Sequence, residues 1–122
     1  EGVADIQQHC EQIGRDDWDI DIAPQLAVSI GKTHEEAMAT FKKSQMYKHL
    51  ESLKQSTLKN QDTSAYEERN LIGTPDEICE QVEKYRKAGT TTLSALIFAN
   101  STVDEMIESM QFFSEEVISK FN

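Results

Sequence analysis

The sequence predicts an α/β fold made of consecutive βα units around a parallel sheet, in the order helix, strand, helix, helix, strand, helix. Two apolar runs, Leu26 to Ile30 and Thr91 to Ala99, are dense enough to be buried on both faces, as parallel strands are. Each run feeds a helix-capping signature, Thr33-His34-Glu35-Glu36 in one case and Ser101-Thr102-Val103-Asp104-Glu105 in the other. A third cap, Gly73-Thr74-Pro75-Asp76-Glu77, opens another helix between them. A strand followed by a capped helix, repeated, is how parallel sheets are built.

Val3, Ile6, Cys10 and Ile13 recur at three- and four-residue steps, which predicts a helix over 3–13 with Gly14 as its left-handed stop. The first strand is expected over 26–30, because Pro24 has no N–H for a ladder and confines regular pairing to the residues after it. In the first cap the Thr33 hydroxyl accepts from the Glu36 amide while the Glu36 carboxylate reaches back to the cap. One helix over 34–54 then buries Ala37, Met38, Phe41, Met46, Tyr47, Leu50 and Leu53, and the polar run Asn60 to Ser64 reads as a mobile loop. The helix over 75–88 has Thr74 as cap, Pro75 at its first position and Asp76 and Glu77 against its positive end. Ile78, Val82 and Tyr85 form its apolar stripe, Arg86 and Lys87 suit its negative end, and Gly89 stops it. A second strand over 91–99 leads to a last helix over 102–120, whose stripe runs Val103, Met106, Ile107, Met110, Phe113, Val117 and Phe121.

The chain has 122 residues, enough for one ordinary domain. Acidic residues outnumber basic ones by 22 to 12, and the formal charge of −10 repels nucleic acid and anionic lipid alike. The longest strongly apolar stretch, Leu93 to Ala99, falls far short of the roughly 20 residues that span a bilayer. Cys10 and Cys79 lie inside helical patterns with no C-x-x-C, as reduced thiols of a cytoplasmic protein do. His9, His34 and His49 have no ligand partner at i+4, and no nucleophile elbow or phosphate-binding glycine loop occurs. Glu105, Glu108, Glu115 and Glu116 read as a solvated face, and Trp18 as a packing residue at the end of the fold or in a subunit contact. The first residues, Glu1-Gly2-Val3-Ala4-Asp5, show no initiating methionine and no leader, so the chain is expected to be part of something longer.

Several short motifs fall in a fixed order: Gly14-Arg15-Asp16, then Thr33-His34-Glu35-Glu36-Ala37, then Ile72-Gly73-Thr74-Pro75-Asp76-Glu77-Ile78. Tyr85-Arg86-Lys87-Ala88-Gly89 and Phe113-Ser114-Glu115-Glu116-Val117-Ile118 complete the series. Together they resemble the carboxy-terminal portion of the luciferase-like monooxygenases, a flavin- or deazaflavin-dependent family that includes methylene-tetrahydromethanopterin reductase-like proteins. The resemblance implies the closing βα units of a TIM (β/α)8 barrel, incomplete as a barrel, in an oxidoreductase that holds FMN or the deazaflavin coenzyme at the carboxy-terminal ends of its strands. It also implies that the residues gripping the coenzyme lie in earlier strands, so no catalytic residue is carried over and no coenzyme is expected on this segment alone. Ser29, Phe98 and Asn100, at the strand ends, are the candidates for lining the pocket; a turn or cap role is the alternative for Ser29 and Asn100, and a core role for Phe98.

Two doubly buried strands cannot cover each other's edges, so self-association as a dimer or swapped oligomer is expected, without nucleic-acid or membrane partners. A free-standing, non-enzymatic α/β module acting through copies of itself or a protein partner is the alternative reading.

Overall fold

The protein is described by a computed structural model over residues 2–63 and 65–121, and the expectations for the Trp18 side chain and for Ser64 lie outside the described residues. Helix α1 (Gly2–Ile13) is followed by a 3-10 turn (Asp17–Asp19) and strand β1 (Gln25–Ile30). Helices α2 (His34–Lys43), α3 (Gln45–Gln55) and the short α4 (Tyr66–Arg69) lead to β2 (Leu71–Gly73). Helix α5 (Pro75–Lys87), strand β3 (Ala95–Phe98), helix α6 (Val103–Phe113), a π-helical turn (Ser114–Ile118) and α7 (Ser119–Phe121) complete the chain.

The sheet is parallel throughout, in the order β2-β1-β3. The two strands expected from sequence pair directly, Gln25 to Val28 against Ala95 to Phe98. The third strand was not expected: Leu71 to Gly73 pairs with Val28 to Ile30, so the predicted six-element order is corrected to one with an additional short helix and strand ahead of α5.

Alternation along β1 divides the core. Leu26, Val28 and Ile30 point to one face, where Ile78 and Val82 of α5 and Phe113 and Val117 cover them. Ala27 points to the other, where it meets Ala37 and Phe41 of α2 and Leu50 of α3. Tyr47 packs edge-on to Phe41 with ring centroids 5.4 Å apart, and Tyr66 stacks on the same ring at 6.4 Å. From Leu26 to Ile30 every residue of β1 is buried, so the chain itself supplies cover for this strand, and the expectation that both strands lack neighbours is corrected for β1. The four residues of β3 are half-buried, paired to β1 on one side and with Leu96 and Phe98 packed against the core.

Three expected boundaries also move. The single helix over 34–54 breaks at Ser44, which is extended with ψ 156° and wholly buried. Its hydroxyl donates to the Phe41 carbonyl at 2.6 Å and accepts from the Tyr47 amide at 3.1 Å, so one side chain ends α2 and starts α3. The second strand shortens from 91–99 to 95–98, because Thr91 is engaged elsewhere: its amide donates to the Ile22 carbonyl (3.0 Å) and its hydroxyl accepts from the Ile22 amide (2.9 Å). Pro24 interrupts the pairing between that irregular contact and the ladder. The last helix carries a π turn over Ser114–Ile118, with Phe113 and Val117 in the core and Ile118 and Phe121 exposed. The polar stretch expected as a loop forms turns as far as Gln61, whose amide donates to Leu58.

Gly14 and Gly89 end their helices at φ 67° and 101°, conformations that side-chain-bearing residues rarely adopt. The Thr74 and Thr102 caps form complete capping boxes with Glu77 and Glu105. At Thr33 the hydroxyl accepts from Glu36 as expected, but the Glu36 carboxylate takes the Lys32 amide at 3.1 Å, one residue further back.

Candidate functional site

Because the strands are parallel, their carboxy-terminal ends share one side of the sheet, and helices α2, α5 and α6 all begin there. Gly31 and Gly73 hold two of those ends together through an amide-to-carbonyl bond of 3.1 Å. Beside them opens a cleft of about 320 Å³ between α2 and α6, bordered by Gly31, Lys32, Thr40, Asn100, Ser109 and Phe112.

Of the three residues expected to line a pocket, Asn100 alone borders this cleft among the described residues. Its Oδ1 is buried with no hydrogen-bond partner among them. Ser29 is buried, and its hydroxyl donates to the Ala37 carbonyl at 2.7 Å, tying the end of β1 to the first turn of α2. Phe98 faces the core and meets the Phe113 ring edge-on, 5.6 Å between centroids and 89° between planes. Ser109 and Phe112 were not anticipated, although their spacing from Glu105 places all three on one side of a helix that starts at a strand end.

The electrostatics of this side are set by three glutamates. Glu36 accepts from the Lys32 amide, Glu77 from the Thr74 amide at 2.8 Å, and Glu105 from the Ser101 and Thr102 amides at 3.1 and 3.2 Å. The Thr74 amide holds the Glu77 carboxyl below its ordinary value of 4.5, helped by His34, whose Nδ1 lies 3.2 Å away. The amides at or just before each cap are thus taken by the protein's own carboxylates and the third helical amides by the threonine hydroxyls, which sets a negative charge at each helix start. Around His34 a further depression of about 610 Å³ is bordered by Glu67, Glu68, Glu77 and Glu80. No group of three metal-ligating side chains forms among the described residues. Cys10 is buried and Cys79 half-buried, and burial pushes the Cys79 thiol up, away from nucleophilic character. No helix among the described residues is long and apolar enough to cross a membrane.

The family model described as luciferase-like monooxygenase matches residues 1–92, three quarters of the chain. The chain belongs to the luciferase-like monooxygenase family. The match takes in β1, β2 and helices α1 to α5 and stops before β3 and α6. No curated protein matches the chain. For a luciferase-like protein the question is whether these residues suit a phosphate-bearing flavin or deazaflavin. They do not suit its phosphate, since Glu36, Glu77 and Glu105 place negative charge at each of the three helix starts. This luciferase-like chain thus offers at its strand ends a polar cleft in which Lys32 is outnumbered by Glu36, Glu105 and Glu108.

Proposed function

We propose that this chain is the structural carboxy-terminal part of a flavin- or deazaflavin-dependent luciferase-like oxidoreductase, closing a TIM barrel whose coenzyme is held mainly by other strands. The family match over residues 1–92 carries this reading. Support comes from the repeated βα pattern, in which each parallel strand leads to a capped helix, and from a glutamate at each of those three helix starts. Barrel enzymes place their chemistry at that side, and Asn100 with Phe112 would form part of its wall. Adding reduced FMN or reduced deazaflavin coenzyme to the chain is expected to give no turnover and no micromolar binding by fluorescence titration. Micromolar affinity would relocate the coenzyme site to these residues.

A second reading, a non-enzymatic α/β module acting through copies of itself or a protein partner, is favoured by one observation. Val103, Ile107 and Met110, in the apolar stripe of α6, are 70%, 57% and 43% exposed.

A further inference from the structure

We propose that the hollow between α2, α3 and α4 is a binding site for a small organic cation, a methylated ammonium group held against aromatic rings and balanced by the Glu67 carboxylate. The inference is independent of the coenzyme reading, because the lining residues all fall between Phe41 and Glu67.

The walls come from short-range structure. Ser44 joins α2 directly to α3, which sets Tyr47 beside Phe41. Asn70 donates to the Tyr66 carbonyl at 2.7 Å, and the Tyr66 amide donates to Thr63 at 3.1 Å, which fixes the start of α4 against the same ring. Phe41 is wholly buried, and the two half-buried tyrosines meet it from different directions, Tyr47 at 78° to its plane and Tyr66 at 13°. Three rings and the buried Leu50 thus border one space of about 200 Å³. Sites for drug-sized ligands measure roughly 300–1,000 Å³, so this one suits a head group and is too small for a flavin.

Charge selects the class of ligand. Two charged side chains border the hollow, Lys54 and Glu67. Lys54 is already balanced, its Nζ lying 2.6 Å from Glu51. Glu67 makes no ion pair among the described residues. These three groups together leave one negative charge in excess, on a chain whose formal charge of −10 already disfavours anions. A metal ion is not the cation that fits, since no three ligating side chains come together among the described residues. Ring faces instead attract an organic cation through their quadrupole, more strongly as it loses water. A methylated ammonium has no N–H to be left unpaired in such a site, whereas a primary ammonium has three.

Titration of the 122-residue chain with choline, followed by the NMR shifts of the Phe41, Tyr47 and Tyr66 ring protons, tests this. The comparison ligand is its uncharged isostere, in which a tert-butyl group replaces the trimethylammonium. Choline is expected to saturate with a millimolar dissociation constant and to bind at least about tenfold tighter than the isostere. Glu67→Gln, at an exposed position, is expected to keep its far-UV circular dichroism, weaken choline severalfold and leave the isostere unchanged. Absence of a saturable shift, equal affinity for the two ligands, shifts that fall away from these three rings, or a choline preference undiminished in Glu67→Gln each overturns the proposal. Because the comparison of the two ligands uses the unmodified chain, it decides the question even if the variant fails to fold.

Discussion

Asn70 is the residue whose loss has the clearest physical consequence. Its side chain stands in for a strand, accepting the Ala27 amide in a buried position and passing its own N–H to Tyr66. Asn70→Ala strands a buried amide, so the expected destabilisation is about 1–3 kcal/mol in urea unfolding. Thr74 works differently, as an N-cap whose hydroxyl accepts from Glu77 at the exposed start of α5, and Thr74→Ala is expected to cost about 0.5–2 kcal/mol by the same measurement. Its partner Glu77 makes part of that stability depend on pH. The carboxyl titrates below its unfolded value of 4.5, so its contribution is complete above that value and disappears as pH falls through the folded one. Glu77→Gln is expected to flatten the fall in unfolding free energy on the acid side of pH 4.5, read from urea titrations at successive pH values.

At the scale of elements, what could be read in the sequence were features with a local cause. Thr74 and Thr102 cap as their neighbours dictate, Gly14 and Gly89 stop their helices, and Leu26 to Ile30 is a doubly buried strand. What could not be read depends on contacts distant in sequence. Leu71-Ile72-Gly73 is too short for a periodicity of its own and becomes a strand only because Val28 to Ile30 lies beside it. Thr91 and Thr92 have strand propensity, yet Asp21 and Ile22 draw them out of the ladder. Ser44 falls inside the helix expected over 34–54, and its buried hydrogen bonds to Phe41 and Tyr47 turn it into a break. At the candidate site, position at a strand end pointed to Asn100, whereas Ser29 and Phe98 share that position but turn inward for hydrogen bonding and ring packing. Ser44→Ala removes the hydroxyl that starts α3 and is expected to cost about 1 kcal/mol. Hydrogen exchange should locate the loss at the Tyr47 amide, and protection unchanged there would show that the break is held by packing alone.

For the whole molecule, net charge and apolar burial act in opposite directions on stability. Each chain has a formal charge of −10, and the rim of α6 carries Asp104, Glu105 and Glu108 beside its apolar stripe. Like charges repel one another within the fold, while the attraction comes from burial of the apolar clusters on the two faces of the sheet. Salt screens exposed charges over a Debye length of about 10 Å at 0.1 M and leaves apolar burial intact. The unfolding free energy is therefore expected to rise as sodium chloride is raised, read from urea titrations at successive salt concentrations. A fold held by its ion pairs would weaken under the same titration, because screening removes attraction as readily as repulsion.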